Sequence, residues 1–339
     1  MSDTKSGSPI KLGVVGPGLI WDNAHRDVLL SLTSSFEVAG FLARSDITLS
    51  KAHAQVPSAT LYHDYDAFLA APEIEAVVLL TPIPQNAPMT VRALEAGKTV
   101  FVEKPFAVSV AEGDTVLDAS SRAGTPVYVL EQAPYAQLWN RVGEIIRAGR
   151  VGTPATYEKV RHVFLDPHED QSGGYGKTDW RIDTTFPIGN FFDGGVHDLA
   201  VHAKLFGSPA QLRAWGNNFR PGFGEFDHVS TLFRYESGLT GFFSHSAFLG
   251  GRRNYFTIRG TEGLIHIDET GPFLESKRGT RENIPTDPES PHEQMWRALA
   301  DAAAAGAPAP YTLEHAARDL SLLEHIGASL HRNAEVDVT

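Results

Sequence analysis

Leu12-Gly13-Val14-Val15 is a short apolar run that breaks into Gly16-Pro17-Gly18, and similar runs recur through the first 130 residues with helical patterns between them. Strands that are apolar on both faces and separated by helices bury themselves as a parallel sheet covered on both sides. The runs are Phe36 to Leu42, a short one at Leu61-Tyr62, Ala76 to Leu80, Val100 to Val102 and Val127 to Leu130. Between them, Asn23 to Leu32 has helical spacing, and Val91 to Ala96 reads as a helix stopped by Gly97. Ser109-Val110-Ala111-Glu112 has capping-box spacing, with Val110, Val116 and Leu117 as the expected buried face of the helix it opens.

Beyond about Val151 the pattern changes. Val229 to Phe233, Leu239 to Phe248, Tyr255 to Ile258 and Leu264 to Ile267 are strand-like, with Glu236-Ser237-Gly238 and Gly260-Thr261-Glu262-Gly263 as turns, so an antiparallel sheet is expected. Ala302 to Pro310 reads as a small-residue linker, and Leu313, Ala316, Leu320, Leu323, Gly327 and Leu330 recur at helical spacing. At 339 residues the chain divides most simply into a domain over 1–130 and a second over 131–339.

Composition narrows the function classes. With no cysteine, disulfides and thiolate chemistry are excluded, and a reducing, cytoplasmic location is expected. A net charge of -12 argues against a nucleic-acid partner. No run reaches the roughly 20 apolar residues of a membrane helix, and the polar N-terminus lacks the order of a secretory signal.

Gly16 and Gly18 let a backbone turn tightly against a pyrophosphate at a helix N-terminus, with Leu19 and Ile20 following in the same turn. The third glycine of the dinucleotide fingerprint falls at Trp21, so the fingerprint is incomplete, and a plain strand-to-helix turn is the alternative. The second strand ends Ala43-Arg44-Ser45, where NAD-binding chains usually carry an acidic residue. A small residue there with Arg44 beside it favours NADP over NAD, because the guanidinium can pair with a 2′-phosphate; a solvated surface arginine is the alternative, and Asp46 lies close by.

Lys104, in Glu103-Lys104-Pro105, follows a buried strand at the edge where open α/β sheets bind ligands, and a structural surface lysine is the alternative. In Phe191 to Asp198, Asp193 and His197 are four residues apart and share a face if a helix opens there. A histidine can exchange a proton with a hydroxyl while the carboxylate orients it, although a helix cap and a packed ring would produce the same letters. Asp198 and His202 are offset from that face. His162, His168, Glu169 and Asp170 suggest a metal but lack a ligand framework, so no metal is expected. Neither a Gly-x-Ser-x-Gly elbow nor a Walker-type loop is present.

Together, Gly16-Pro17-Gly18, Thr81-Pro82, Ala93 to Lys98, Glu103-Lys104-Pro105, Trp180-Arg181, Asp193 to His197 and Arg259 to Gly263 resemble the Gfo/Idh/MocA family, the relatives of glucose-fructose oxidoreductase and inositol dehydrogenase. The resemblance implies a Rossmann domain followed by an α/β domain whose open, mostly antiparallel sheet mediates dimers or tetramers. It implies that Lys104 and His197 carry the chemistry, with Asp193 assisting, and that the Lys104-Pro105 bond is cis. It adds Thr81, Pro82, Asn86 and Glu103 to the cofactor-binding set of Gly16, Gly18, Leu19, Ile20, Arg44, Ser45 and Lys104. Tyr135, His162, Trp180 and Arg181 become substrate-binding candidates. The activity implied is hydride transfer between nicotinamide and a hydroxyl or ketone carbon of a sugar, anhydrosugar or cyclitol. A non-catalytic, cofactor-sensing regulator and a nicotinamide-dependent glycosidase are the rival readings. Ile83 and Asn86, Pro187 to Asn190, and Ala200 depart from the family pattern around the nicotinamide and substrate, so no particular sugar carries over.

Overall fold

A computed structural model describes residues 8–164, 175, 178, 183, 186–220, 224–249 and 251–338, and the chain divides into two compact units. The first comprises residues 1–135 and 289–320; the second comprises 136–288 and 321–339.

In the first unit, β1 (Ile10–Val15), β2 (Phe36–Leu42), β3 (Thr60–Tyr62), β4 (Ala76–Leu79), β5 (Thr99–Glu103) and β6 (Val127–Leu130) form one parallel sheet in the order β3-β2-β1-β4-β5-β6. This is the dinucleotide-binding order, in which the chain reverses direction across the sheet between β1 and β4. All four residues of β4 are buried, as a strand covered on both faces requires. The helices are α1 (Arg26–Ser31), α2 (Asp46–Gln55), α3 (Tyr65–Ala70), α4 (Ile83–Glu95) and α5 (Val110–Ala123).

Three local expectations are revised. The helix expected over Asn23 to Leu32 begins earlier, as a π-helical turn at Trp21–His25 that leads into α1. Trp21 is fully buried there, its ring edge-on to Phe41 and its Nε1 donating to Gln55 Oε1 at 2.8 Å. The ring standing at the third-glycine position thus fills the space against β2 and α2. Helix α4 starts at Ile83 rather than near Val91; Pro84 lies in its first turn, where a missing N–H costs nothing. In α5, Ser109 Oγ accepts from Glu112 N, but the Glu112 carboxylate takes the Val108 N–H, so the reciprocal half of the capping box is displaced by one residue. Its buried face is Gly113, Val116 and Ala119, with Val110 and Leu117 only half-buried.

The second unit holds α6 (Gln137–Arg147), α7 (Asn190–Gly194) and α8 (Val196–Phe206), with a nine-stranded sheet. Its strands are β7 (Pro154–His162), β8 (Gln211–Asn217), β9 (His228–Arg234), β10 (Thr240–Ser246), β11 (Arg253–Gly260), β12 (Gly263–Ile267), β13 (Phe273–Ser276), β14 (Arg281–Asn283) and β15 (Val336–Asp337). The order is β14-β13-β12-β11-β7-β10-β9-β8-β15, antiparallel throughout except for the β7–β10 pair. Five of these strands, including the central β7, have no clear signal in the sequence.

Helix α9 (Pro291–Ala305) packs with the first unit. A full capping box of Ser290 and Glu293 opens it, and Trp296 packs fully buried against Phe36 and Phe101. This burial explains why residues 289–320 join the N-terminal sheet, although a division at residue 130 assigns them to the second domain. The expected linker shortens accordingly, since α9 continues to Ala305 and closes on Gly306 in a left-handed cap. Helix α10 (Leu313–Arg332) follows. Among the described residues, no helix is long and apolar enough to cross a membrane.

Candidate active site

At the carboxyl end of β1 the two glycines do different work. Gly16 has φ +73°, and a Cβ there would meet Leu80 O at 2.9 Å, so the fold itself demands glycine. Gly18 is exposed, and the nearest atom to a Cβ is Gly16 O at 3.9 Å. Among the described residues, nothing stands close enough to position 18 to require glycine there. Leu19 is exposed and Ile20 half-buried beside it. At the end of β2, Arg44 is exposed, while Ser45 Oγ caps α2 by accepting from Thr48 N. Thr81 and Pro82, after β4, are half-buried.

Lys104 follows β5, half-buried, and its bond to Pro105 is cis. Two buried side chains hold this turn. Asn86 Nδ2 donates to Glu103 O and to Pro105 O, both at 3.0 Å, while its Oδ1 accepts from Thr81 Oγ1 at 2.8 Å. Both amide hydrogens are therefore used and the side chain is 0% exposed, which makes Asn86 a clamp on the lysine turn rather than an exposed ligand group. Glu103, also expected to face the cofactor, turns inward: one oxygen bonds His25 Nε2 at 2.6 Å and the other accepts from Lys104 N at 3.0 Å. Burial pushes its carboxyl up, but the hydrogen bond from His25 and the charge of nearby Lys104 hold it below the ordinary value. Tyr135 closes the first unit and is buried, its phenol pushed up by desolvation.

In the second unit, Asp193 lies in α7 and His197 in the first turn of α8, with Gly194-Gly195 between. Gly195 keeps helical dihedrals, and its N–H bonds Phe191 O while its carbonyl accepts from Leu199 N, so the two residues remain one turn apart. Asp193 is buried and His197 half-buried. Asp198, which the helical spacing sets aside, anchors a buried charge cluster: Lys159 Nζ lies 3.1 Å from one oxygen and Arg161 Nε 3.8 Å from the other. Desolvation would raise its carboxyl, but the two cations outweigh it and hold the pKa at about 2. Burial pulls Lys159 down while Asp198 pushes it back up; its Nζ also donates to Asn254 Oδ1 at 2.6 Å. Nearby His202 and His245 are fully buried, and desolvation brings both to about 3, so both are neutral at physiological pH.

Side chains alternate along β7, so Lys159 and Arg161 occupy one face and His162 the other. His162 Nε2 bonds Ser244 Oγ at 3.0 Å with the His228 ring close by, which places it away from the Asp198 cluster. Trp180 and Arg181, with His168, Glu169 and Asp170, lie outside the described residues. Among the described residues no group of three or more metal-ligating side chains gathers. His25, Trp296, Lys159, Arg161 and His245 have no sequence signal, since none falls in a recognisable motif.

Residues 10–131 match the family model of an oxidoreductase family with an NAD-binding Rossmann fold, and residues 139–266 match the GFO/IDH/MocA C-terminal domain. Trans-1,2-dihydrobenzene-1,2-diol dehydrogenase of Mus musculus is 28% identical over 266 residues, 77% of this chain and 75% of the relative. Inositol 2-dehydrogenase of Pseudomonas savastanoi pv. phaseolicola is 34% identical over 150 residues, which is 43% of this chain and 44% of that enzyme. A crystal structure of an oxidoreductase from Thermotoga maritima superposes with a TM-score of 0.88 at 25% identity, covering 97% of this chain and 98% of the other. With both domain models matched in sequence order, and with the sheet order and lysine turn described above, the chain belongs to the Gfo/Idh/MocA family of oxidoreductases.

Proposed function

We propose that the protein transfers a hydride between a nicotinamide dinucleotide, NADP in preference to NAD, and a carbinol or ketone carbon of a sugar, anhydrosugar or cyclitol. The observation that carries this reading is the clamped Glu103-Lys104-Pro105 turn, which presents a lysine at the carboxyl edge of the parallel sheet, on β5, two strands from the glycine turn on β1. The exposed Gly18 backbone, with open space where a Cβ would stand, suits the close approach of a pyrophosphate. The nicotinamide supplies the hydride acceptor in oxidation and the donor in reduction. In oxidation His197 takes the hydroxyl proton. Lys104 hydrogen-bonds the same oxygen and stabilises the negative charge that develops on it. Asp193 holds a neighbouring hydroxyl or orients His197. Reduction of a ketone is the reverse. Trp180, Arg181, Tyr135 and His162 remain proposed as pocket members on family position, with the bond to Ser244 counting against His162.

Exposed Arg44, next to buried Ala43 at the ribose position, supports NADP by setting a cation beside the position where NAD-binding chains carry an acid, with Asp46 two residues further on. A homo-oligomer is proposed through the sheet face that carries Trp215 and Leu232, 45% and 46% exposed on adjacent strands. A cytoplasmic location accords with the absence of cysteine.

The experiment is a screen of sugars and polyols with both NAD and NADP, followed at the nicotinamide absorbance. Lys104→Ala and His197→Ala should each lose turnover and keep cofactor binding; near-normal rates in both would overturn the assignment. A clear preference for NAD would remove the role given to Arg44. Turnover of no compound despite tight cofactor binding would favour a sensor, and sugar release without net cofactor reduction a glycosidase.

A further inference from the structure

Behind Lys104 runs a buried chain of three side chains that the proposed chemistry does not use. Trp296 Nε1 lies 3.0 Å from His25 Nδ1, His25 Nε2 lies 2.6 Å from Glu103 Oε1, and Lys104 N lies 3.0 Å from Glu103 Oε2. Trp296 and His25 are 0% exposed and Glu103 is 8% exposed, so no step of the chain opens broadly to water.

The partners dictate the direction of every bond. An indole N–H only donates, so His25 Nδ1 carries a lone pair. The hydrogen of the neutral ring then sits on Nε2 and points at Glu103. Each Glu103 oxygen accepts one donor, the imidazole on one side and the Lys104 backbone on the other. The indole is itself fixed, tilted against Phe101 at 5.4 Å and edge-on to Phe36 at 5.5 Å. Asn86 meanwhile grips the carbonyls of Glu103 and Pro105, on both sides of the lysine. The lysine backbone is thus held through its N–H by one network and through the flanking carbonyls by another, and the first begins 271 residues away in sequence from His25.

We infer that Trp296, His25 and Glu103 are positioning residues for Lys104: they hold its backbone N–H and so set where its ammonium is presented. This rests on the reading of Lys104 as the group that binds the reacting oxygen. None of the three touches substrate, and none exchanges a proton in the reaction. Their effect is the placement of Lys104, and placement errors of an ångström at such a group are costly in rate.

The test uses the full chain with Glu103→Gln, His25→Leu, His25→Gln and Trp296→Phe. Gln at 25 keeps a donor toward Glu103 and an acceptor toward Trp296, whereas Leu removes both. Two readouts are taken on variants whose circular dichroism and melting remain native-like. The first is acetylation of Lys104 by an N-hydroxysuccinimide ester, read by peptide mass spectrometry against the other lysines. The second is kcat and KM with myo-inositol and D-glucose, alongside the Kd for NAD and NADP. In Glu103→Gln and His25→Leu, Lys104 acetylation should rise several-fold. Where turnover is measurable, kcat should fall by about tenfold, the factor that one hydrogen bond to a charged group is worth, with KM and cofactor Kd nearly unchanged. His25→Gln should recover most of both losses, and Trp296→Phe should lie between. Lys104 acetylation that is unchanged in Glu103→Gln and His25→Leu overturns the inference. So does a His25→Gln variant as impaired as His25→Leu. If Lys104→Ala keeps its turnover, the functional reading of the lysine fails instead, while the acetylation result still decides whether the chain positions it.

Discussion

Lys159→Met probes the charge cluster around Asp198. The carboxyl of Asp198 sits at about 2, against an ordinary value of 3.8, with Lys159 and Arg161 as the stabilising charges. A shift of that size corresponds to about 2 kcal/mol of folding stability at neutral pH. Burial of Lys159 offsets part of it, because its ammonium is pulled down by desolvation. Removing Lys159 leaves a buried carboxylate with only Arg161, 3.8 Å away, and such unpaired burial costs about 3 kcal/mol. Lys159→Met with Asp198→Leu removes both charges and should recover more than half of that cost. Urea denaturation of the single and double variants, combined as a double-mutant cycle, measures the coupling. A cost below about 1 kcal/mol for Lys159→Met would refute the reasoning, as would a double variant whose cost is the sum of the singles. The folded pKa of Asp198 lies below its unfolded value, so its contribution is present above pH about 4 and is lost as pH falls toward 2.

Three further outcomes follow from the same structure. Trp21→Gly, which restores the third glycine of the fingerprint, should cost about 4 kcal/mol in chemical denaturation, because it empties a fully buried ring site and takes the indole donor from Gln55 Oε1. Gly18→Ala should leave the melting temperature nearly unchanged and weaken NADP binding in titration calorimetry, whereas Gly16→Ala should destabilise by about 1 kcal/mol or more because of its positive φ and its approach to Leu80 O. Asp319 is raised to about 6 by burial, against the opposing pull of Arg318 and the Tyr311 hydroxyl, with Glu131 adding to the rise. Its folded pKa exceeds its unfolded one, so stability should fall by about 2 kcal/mol as pH rises from 4 to 6. Asp319→Asn should flatten that slope in a pH series of melts.

How far residues announce their roles depends on whether their partners are local. Val77 and Val78 declare β4 because a strand covered on both faces is apolar without interruption, and no other segment needs consulting. Central β7 carries Lys159 and Arg161 on its inward face, and those charges look like solvated surface until Asp198 on α8 is seen to neutralise them. Asn86 illustrates the opposite error. Its place after Thr81-Pro82 suggests a cofactor ligand, yet its amide is consumed by Glu103 O and Pro105 O, carbonyls 17 and 19 residues away. Trp21 looks like a defect in a glycine motif and is a core residue.

By itself the sequence determined the parallel βα domain, the glycine turn, the lysine at a strand end and the family they belong to, because each is written in neighbouring residues by period, turn chemistry or motif. The tertiary structure alone decided what surrounds them: the return of α9 to the first sheet, the Trp296-His25-Glu103 chain behind Lys104, and the ion cluster beneath α8. These depend on which distant side chains share one desolvated volume. A buried polar group is tolerated only where a partner meets it, and that partner lies up to 271 residues away.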